Sequence, residues 1–96
     1  MSKHISDESV LLGEIGARVR AVRLSENLSQ EQLAAAAAVS RSTIKRLESG
    51  HGSVSLANLL AILAVVNLSE NLVAALPEPE GLSLQRQRAS RRRTLD

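Results

Sequence analysis

The sequence predicts an all-α fold for a chain of 96 residues. Ala and Leu together make up 29 of these residues, and runs of β-branched residues are missing, so the composition favours helix over strand. Serines precede the apolar segments, and Asn or Gly follows them, as at helix starts and ends. The two prolines, Pro77 and Pro79, come after the apolar region. We expect a flexible N-terminus over residues 1–8, a helical domain over 9–76 and a disordered tail over 77–96.

The first helix is expected to run from about Ser9 to Glu26. Five of its apolar residues fall within one 100° arc of a helical wheel, which is the pattern of a helix with one buried face. Gly13 and Gly16 each weaken this helix by about 1 kcal/mol relative to Ala. Asn27 can end it because Asn tolerates the left-handed backbone conformation. The apolar arc consists of Leu11, Leu12, Ile15, Val19 and Val22.

The second helix is predicted over residues 30–37. Ser29 and Gln32 form a capping-box pattern, in which each side chain bonds the backbone N–H of the other residue. Ser40 is a second N-cap only three residues after the end of this helix. Two short helices therefore follow each other closely.

The third helix is predicted over residues 41–49, and Gly50 ends it. Ile44 and Leu47 are its only apolar residues, so its buried stripe is narrow. The opposite face is polar and basic. It carries Arg41, Ser42, Lys45, Arg46 and Ser49.

Two further helices complete the domain. The fourth is expected from Leu56 to about Val66, capped by Ser55 and ended by Asn67. The fifth is expected over residues 70–76, with Ser69 as its cap. Both are so apolar that part of their surface is expected to contact a second protein chain.

Two short capped helices joined by a tight turn, with a basic face on the second, are typical of a helix-turn-helix. A helix fits the major groove of DNA, and its first turn directs side chains at base edges. The helix starts at Gln30 and Arg41 also offer free backbone N–H groups to phosphates. The sequence therefore predicts binding of double-stranded DNA through the third helix.

From about Ile15 to Leu76, roughly two-thirds of its length, the chain resembles a known family. It is similar to the helix-turn-helix domain of lambda repressor, Cro and the wider group of xenobiotic-response-element-type bacterial regulators. The resemblance implies a five-helix, lambda-repressor-like fold, insertion of the third helix in operator DNA, and a dimer on two half-sites. It is carried by Ile15-Gly16, Val19-Arg20, Val22-Arg23, Leu28-Ser29-Gln30, Leu33-Ala34, Val39-Ser40-Arg41-Ser42-Thr43-Ile44, Leu47-Glu48, Gly50 and the segment Leu59 to Val66.

The resemblance also implies roles for individual residues. Gln30 would clamp a phosphate and brace the first recognition residue. Arg41 and Ser42 would meet base edges, and Arg46 would reach a further base or a phosphate. The two arginines suit guanine O6 and N7. Contacts to the DNA backbone, which set register without reading sequence, are expected from Ser40, Thr43 and Lys45.

Other residues have structural or partner roles in this resemblance. Arg23 and Glu48 match an ion pair that ties the first helix to the end of the third. Ala38 stands where the family's turn usually has Gly, so a left-handed backbone there would be strained by roughly 1–2 kcal/mol. Leu24 and Leu63 are apolar where such domains often expose polar residues, and we expect them to contact a partner.

The formal net charge of +2 is unevenly distributed. Residues 1–80 carry 7 basic and 9 acidic side chains, whereas residues 81–96 carry five Arg and one Asp. The simplest interpretation of the tail is a solubilising end; it could also contact phosphates or fold on a protein partner. Its arginines are Arg86, Arg88, Arg91, Arg92 and Arg93.

Several classes of protein are disfavoured. The chain has no Cys and no aromatic residue, and its two histidines, His4 and His51, are far apart in sequence. We therefore expect no enzyme, metal site or cofactor, and no base-stacking mode of RNA recognition. The longest apolar stretch has 11 residues against about 20 for a membrane span, and the N-terminus lacks a signal-peptide pattern, so the expected location is the cytoplasm.

These observations leave three functional hypotheses. The leading one is a dimeric repressor or autorepressor with a double-stranded DNA operator as partner. The second is an antitoxin that binds its toxin partly through the tail and autoregulates its operon. The third is an adaptor that uses the fold without DNA, the basic face then being merely solvated. For the dimer or partner surface we expect Leu68, Leu72, Val73 and Leu76.

Overall fold

The computed structural model describes residues 7–51 and 53–79 of the chain. These ranges form five helices and no strand, which confirms the all-α prediction. The predictions of a flexible start and of a disordered, Arg-rich tail concern mainly residues outside the described ranges. The helices are α1 (Glu8–Ser25), α2 (Gln30–Ala37), α3 (Arg41–Ser49), α4 (Leu56–Val65) and α5 (Ser69–Ala74).

Three of the four predicted serine caps form. At the start of α2, the Gln32 backbone N–H donates to Ser29 Oγ at 3.0 Å, and Gln32 Oε1 accepts from the Ser29 backbone N–H at 2.8 Å. Ser40 and Ser55 cap α3 and α4 in the same way, with single bonds of 3.1 and 3.0 Å. The N-terminal bounds of these three helices follow from bonds that span only three residues, which is why the sequence alone predicts them.

The bounds of α1 and α5 differ from the prediction. α1 starts one residue earlier, because the Asp7 carboxylate accepts from the Ser9 backbone N–H at 3.1 Å and so acts as the cap. Ser69 is the first residue of α5 rather than its cap, and Leu68 precedes it without a side-chain cap bond. α5 ends at Ala74 because the residue before a proline, here Leu76, disfavours helical backbone.

The core lies where α2, α3 and α4 meet. Leu33, Ile44 and Ile62, one from each of these helices, are completely buried. Ala34 and Ala37 are also buried, and these small side chains let α2 approach its neighbours closely. α1 joins this core through Val19 and packs mainly against α3.

The first half of α1 is more exposed than its apolar arc predicts. Val19 is buried and Val22 half-buried. Leu11, Leu12 and Ile15, however, are 46%, 45% and 41% exposed. The apolar face of α1 is therefore buried near its C-terminal end and partly exposed to solvent near its N-terminal end.

Two glycines allow α1 to cross the end of α3 at close range. A Cβ atom on Gly16 would overlap the Leu47 carbonyl oxygen and lie 2.8 Å from that of Glu48. Gly50, which has a left-handed φ of 74°, lies so close to α1 that a Cβ on it would be 2.8 Å from Gly13 Cα. The sequence predicts only that Gly13 and Gly16 weaken the helix; the structure shows that Gly16 is required for helix packing.

Candidate nucleic-acid interface

One side of α3 is a polar, cationic surface. Ile44 and Leu47 are buried on the inner side, and this orientation leaves the opposite side in solvent. A cationic helix face held by a narrow apolar stripe can enter a groove of DNA without disturbing the core. The exposed side carries Arg41, Ser42, Lys45 and Arg46, and the cap residue Ser40 is exposed beside them.

Thr43 has a different environment from its predicted neighbours on this surface. Its side chain is only 5% exposed, and its hydroxyl lies 2.8 Å from that of Ser40. Arg46 Nη2 also donates to Thr43 Oγ1 at 3.4 Å. Thr43 therefore braces the start of α3 and orients Arg46, instead of projecting outward as a phosphate contact would require.

The other end of α3 is anchored by a buried ion pair between Arg23 and Glu48. Arg23 Nε donates to Glu48 Oε2 at 2.7 Å, and Arg23 Nη2 donates to Glu48 Oε1 at 3.0 Å. The third nitrogen, Nη1, donates to the Leu28 carbonyl oxygen at 2.8 Å. These bonds join the end of α1, the turn before α2 and the end of α3, so they restrict the angle at which α3 is presented.

Both members of this pair are shielded from water, with side chains only 8% and 4% exposed. The hydrogen bonds and the attraction of the Glu48 carboxylate raise the pKa of the Arg23 guanidinium above its ordinary value, while burial acts in the opposite direction. Arg23 therefore stays charged over the whole working pH range.

Gln30 belongs to the same network. Its Nε2 donates to Glu48 Oε1 at 3.1 Å, and the residue is half-buried. The resemblance implies that Gln30 braces the first recognition residue, Arg41. In the structure the side chain that forms an ion pair with Arg41 is instead Glu31, with Nη1 and Oε2 3.8 Å apart.

Glu31 is the residue of this surface that the sequence analysis missed. It lies ten positions before Arg41 on a different helix, so no local pattern connects the two. The pair borders a polar cleft of about 460 Å³ between the end of α1 and the starts of α2 and α3. The lining residues are Arg20, Arg23, Ser29, Gln30, Glu31 and Arg41.

The turn between α2 and α3 contains a left-handed alanine. Ala38 has φ 58° and ψ 43°, and the Val39 backbone N–H bonds the Ala34 carbonyl oxygen at 3.0 Å. The family's usual glycine would adopt this conformation without strain, whereas Ala pays roughly 1–2 kcal/mol. The turn therefore keeps its left-handed geometry despite the substitution.

A second surface lies at α5. Leu68 and Leu72 are half-buried, whereas Val73 and Leu76 are 64% and 68% exposed. Leu24 is exposed on α1. Leu68, Leu72 and the half-buried Leu63 line an apolar groove of about 260 Å³ between α1, α4 and α5. The groove is also lined by Ile15, Arg18, Val19, Val22, Leu59, Val66 and Asn71.

His51 follows α3 directly and is exposed. It borders a second cavity of about 290 Å³ together with Arg46 and the apolar Leu12 and Ile15. His4 lies outside the described residues. Within the described ranges, no group of acidic residues and His could hold a metal ion, and no helix is long and apolar enough to cross a membrane.

A family model described as helix-turn-helix matches residues 19–73 of the chain. The match covers more than half of the sequence and includes all of α2, α3 and α4. The chain belongs to the helix-turn-helix family of the lambda repressor and Cro type. In this family α2 and α3 are the two helices of the motif, and the domain is a DNA-binding module of transcriptional regulators. A comparison with curated proteins gave no match.

Proposed function

We propose that this helix-turn-helix protein is a sequence-specific repressor in the cytoplasm that binds a double-stranded DNA operator near its own gene. The proposal rests on the exposed cationic face of α3, which the network of Arg23, Gln30 and Glu48 holds at a defined angle. A rigidly held recognition helix loses little conformational freedom on binding, and this favours discrimination between sequences. Repression follows from occlusion of the operator.

Within this proposal, α3 residues divide into two groups. Arg41 and Arg46 read guanine through paired hydrogen bonds to O6 and N7, and Ser42 meets a neighbouring base edge. Lys45 and Ser40 contact the DNA backbone and set the register. Thr43 acts indirectly, because its buried hydroxyl orients Arg46.

Equilibrium binding tests this function. The purified chain is titrated against labelled DNA from upstream of its own gene and against a scrambled duplex, both at about 150 mM salt. We expect at least hundredfold tighter binding to its own DNA, within the range of specific regulators. Equal, weak binding to both duplexes would count against an operator near the gene.

The Arg41→Ala variant refines this test. We expect it to weaken operator binding by roughly 1–3 kcal/mol and to relax the preference at one base position. The control is the same variant on the scrambled duplex, where the loss of a base contact should weaken binding less than on the operator. Equal losses on operator and scrambled DNA would contradict a base contact by Arg41.

We further propose that the repressor binds as a homodimer. Val73 and Leu76 are exposed at the end of the segment whose Leu68 and Leu72 line the apolar groove, and a second copy would remove these side chains from water. Two copies related by a two-fold axis would present their α3 helices to half-sites about 34 Å apart.

A second candidate is the antitoxin function, and the exposed start of α1 favours it. Val10, Leu11 and Leu12 are all about half exposed at the start of α1, as a binding surface for another protein would be. The toxin would cover this surface, and the tail would wrap around the toxin. Co-purification with the product of a neighbouring gene would support this candidate, and loss of binding on deletion of residues 80–96 would assign a role to the tail.

A further inference from the structure

The Arg41 side chain contacts a carboxylate at the surface where the protein is proposed to meet DNA. Arg41 is the first residue of α3 and Glu31 the second residue of α2. Their side chains are 56% and 75% exposed, with Nη1 and Oε2 3.8 Å apart. Gln30, which the family resemblance assigns to this bracing role, is bonded to Glu48 instead.

A carboxylate in this place is unfavourable for DNA binding in general. It borders the cleft that also contains Arg20 and Arg41, beside the start of α2 where phosphates would approach. A negative charge there repels the phosphate backbone of every DNA sequence. Glu31 also stabilises α2 itself, because an acidic side chain in the first turn interacts favourably with the helix dipole.

We infer that Glu31 is a specificity-determining residue that positions Arg41 for one base pair. The inference rests on the proposed DNA-binding function. A guanidinium has five N–H donors, and reading guanine O6 and N7 requires only two of them. When Glu31 holds Nη1, the edge formed by Nε and Nη2 remains free for the guanine. The contact also restricts the rotamers of a long, exposed side chain before DNA arrives.

This arrangement separates cognate from non-cognate DNA. On every sequence Glu31 lowers affinity by repelling phosphates. Where the correct guanine is present, the oriented Arg41 more than offsets this loss with two charge-assisted hydrogen bonds, so that Glu31 raises operator affinity. Glu31 therefore increases the ratio of operator affinity to non-specific affinity, as repulsive elements do in other selective interfaces.

The test uses the full chain with the Glu31→Gln substitution, which removes the charge and keeps the shape. Binding is measured on the operator duplex, on a scrambled duplex and on operators altered at single base pairs. We expect tighter binding to scrambled DNA and weaker binding to the operator, each by roughly two- to fivefold, the range for exposed charge pairs. The base preference at the position read by Arg41 should weaken, whereas the base preferences at the other operator positions should stay unchanged.

The matched control is Glu14→Gln, which removes the same charge from another exposed Glu–Arg pair. Glu14 and Arg18 are 3.3 Å apart on α1, and their side chains are 58% and 81% exposed. This control should leave the ratio of operator to scrambled binding unchanged. Thermal melting of each variant checks that it is folded, so that the loss of a favourable helix-start charge is not mistaken for an effect on DNA.

A double variant completes the test. If Glu31 acts through Arg41, adding Glu31→Gln to Arg41→Ala causes no further loss of preference at that base pair. Equal tightening on both duplexes, with the ratio unchanged, would overturn the inference and leave only phosphate repulsion. Failure of the wild-type chain to prefer its operator would instead overturn the proposed function, a result visible before any variant is made.

Discussion

At the scale of single residues, Glu48 is the centre of the network that holds the recognition helix. Its two oxygens accept hydrogen bonds from Arg23 Nε and Nη2 and from Gln30 Nε2. Because the Arg23–Glu48 pair is almost completely shielded from water, neither charge can be removed without leaving the other unpaired. The pair contributes to the orientation of α3 as much as to stability.

We expect the Glu48→Gln variant to lower the free energy of unfolding by about 3 kcal/mol, because it leaves the Arg23 charge without its partner. Urea denaturation followed by circular dichroism measures the change. Glu14→Gln, in an exposed pair, should change stability by less than about 1 kcal/mol. The double variant Arg23→Met with Glu48→Met should be more stable than Glu48→Gln, since it leaves no buried charge; a less stable double variant would contradict this account.

At the scale of helices, the crossing of α1 over the end of α3 positions the cationic face. Gly16 lies against the carbonyl oxygens of Leu47 and Glu48, with no room for a side chain. Gly13, one turn earlier on the same helix, has open space where its Cβ would be. Both glycines therefore lower the helix propensity of α1 by the same amount, but only Gly16 is needed for the packing of α1 against α3.

Replacing Gly by Ala should therefore have opposite effects on stability at these two positions. Gly13→Ala should stabilise the domain by up to about 1 kcal/mol through higher helix propensity. Gly16→Ala should destabilise it by roughly 1–3 kcal/mol, because the added methyl forces α1 away from α3. Thermal unfolding of both variants measures the effects. Equal stabilisation by both would show that α1 does not cross α3 this closely.

At the scale of the whole molecule, the described residues have two faces of opposite character. One face is polar and cationic around α3, and the other carries the apolar groove and exposed side chains of α5. A small domain that leaves this much apolar surface in water is expected to cover it with another chain. The proposed dimer satisfies this requirement and keeps both α3 faces free for DNA.

The dimer proposal predicts that the double variant Val73→Glu with Leu76→Glu is monomeric in sedimentation experiments. Both residues are highly exposed, so the variant should fold normally. Operator affinity should fall at least tenfold, because two half-sites are no longer bound together. The matched control is Leu56→Glu, a residue 65% exposed at the start of α4. A wild-type chain that sediments as a monomer while binding its operator tightly would contradict the proposal.

The tail has a separate prediction at this scale. If its arginines contact phosphates, replacing Arg86, Arg88 and the run of residues 91–93 by Gln should weaken binding to all sequences alike. The slope of log affinity against log salt should then decrease by about 0.9 for each lost contact. Titrations at several salt concentrations measure this slope. An unchanged slope would exclude tail contacts to DNA and leave the solubilising role or a protein partner.

The sequence by itself determined the helices and the helix-turn-helix motif of this protein. Ser29, Ser40 and Ser55 cap their helices through bonds to residues three positions away, and Gly50 ends α3 by its own backbone preference. Such signals are local, so they can be recognised without knowing the fold. The basic face of α3 follows in the same way from the helical period.

Apart from the Arg23–Glu48 pair, which the family resemblance implies, only the tertiary structure decided which side chains of different helices meet. It exposes Leu12 and Ile15 of a continuous apolar arc, places Gln30 on Glu48, and brings Glu31 to Arg41. These contacts depend on how rigid helices are placed in space by the packing of a shared core. No repeating pattern along one segment encodes that placement, because a contact between two helices is set by the positions of both.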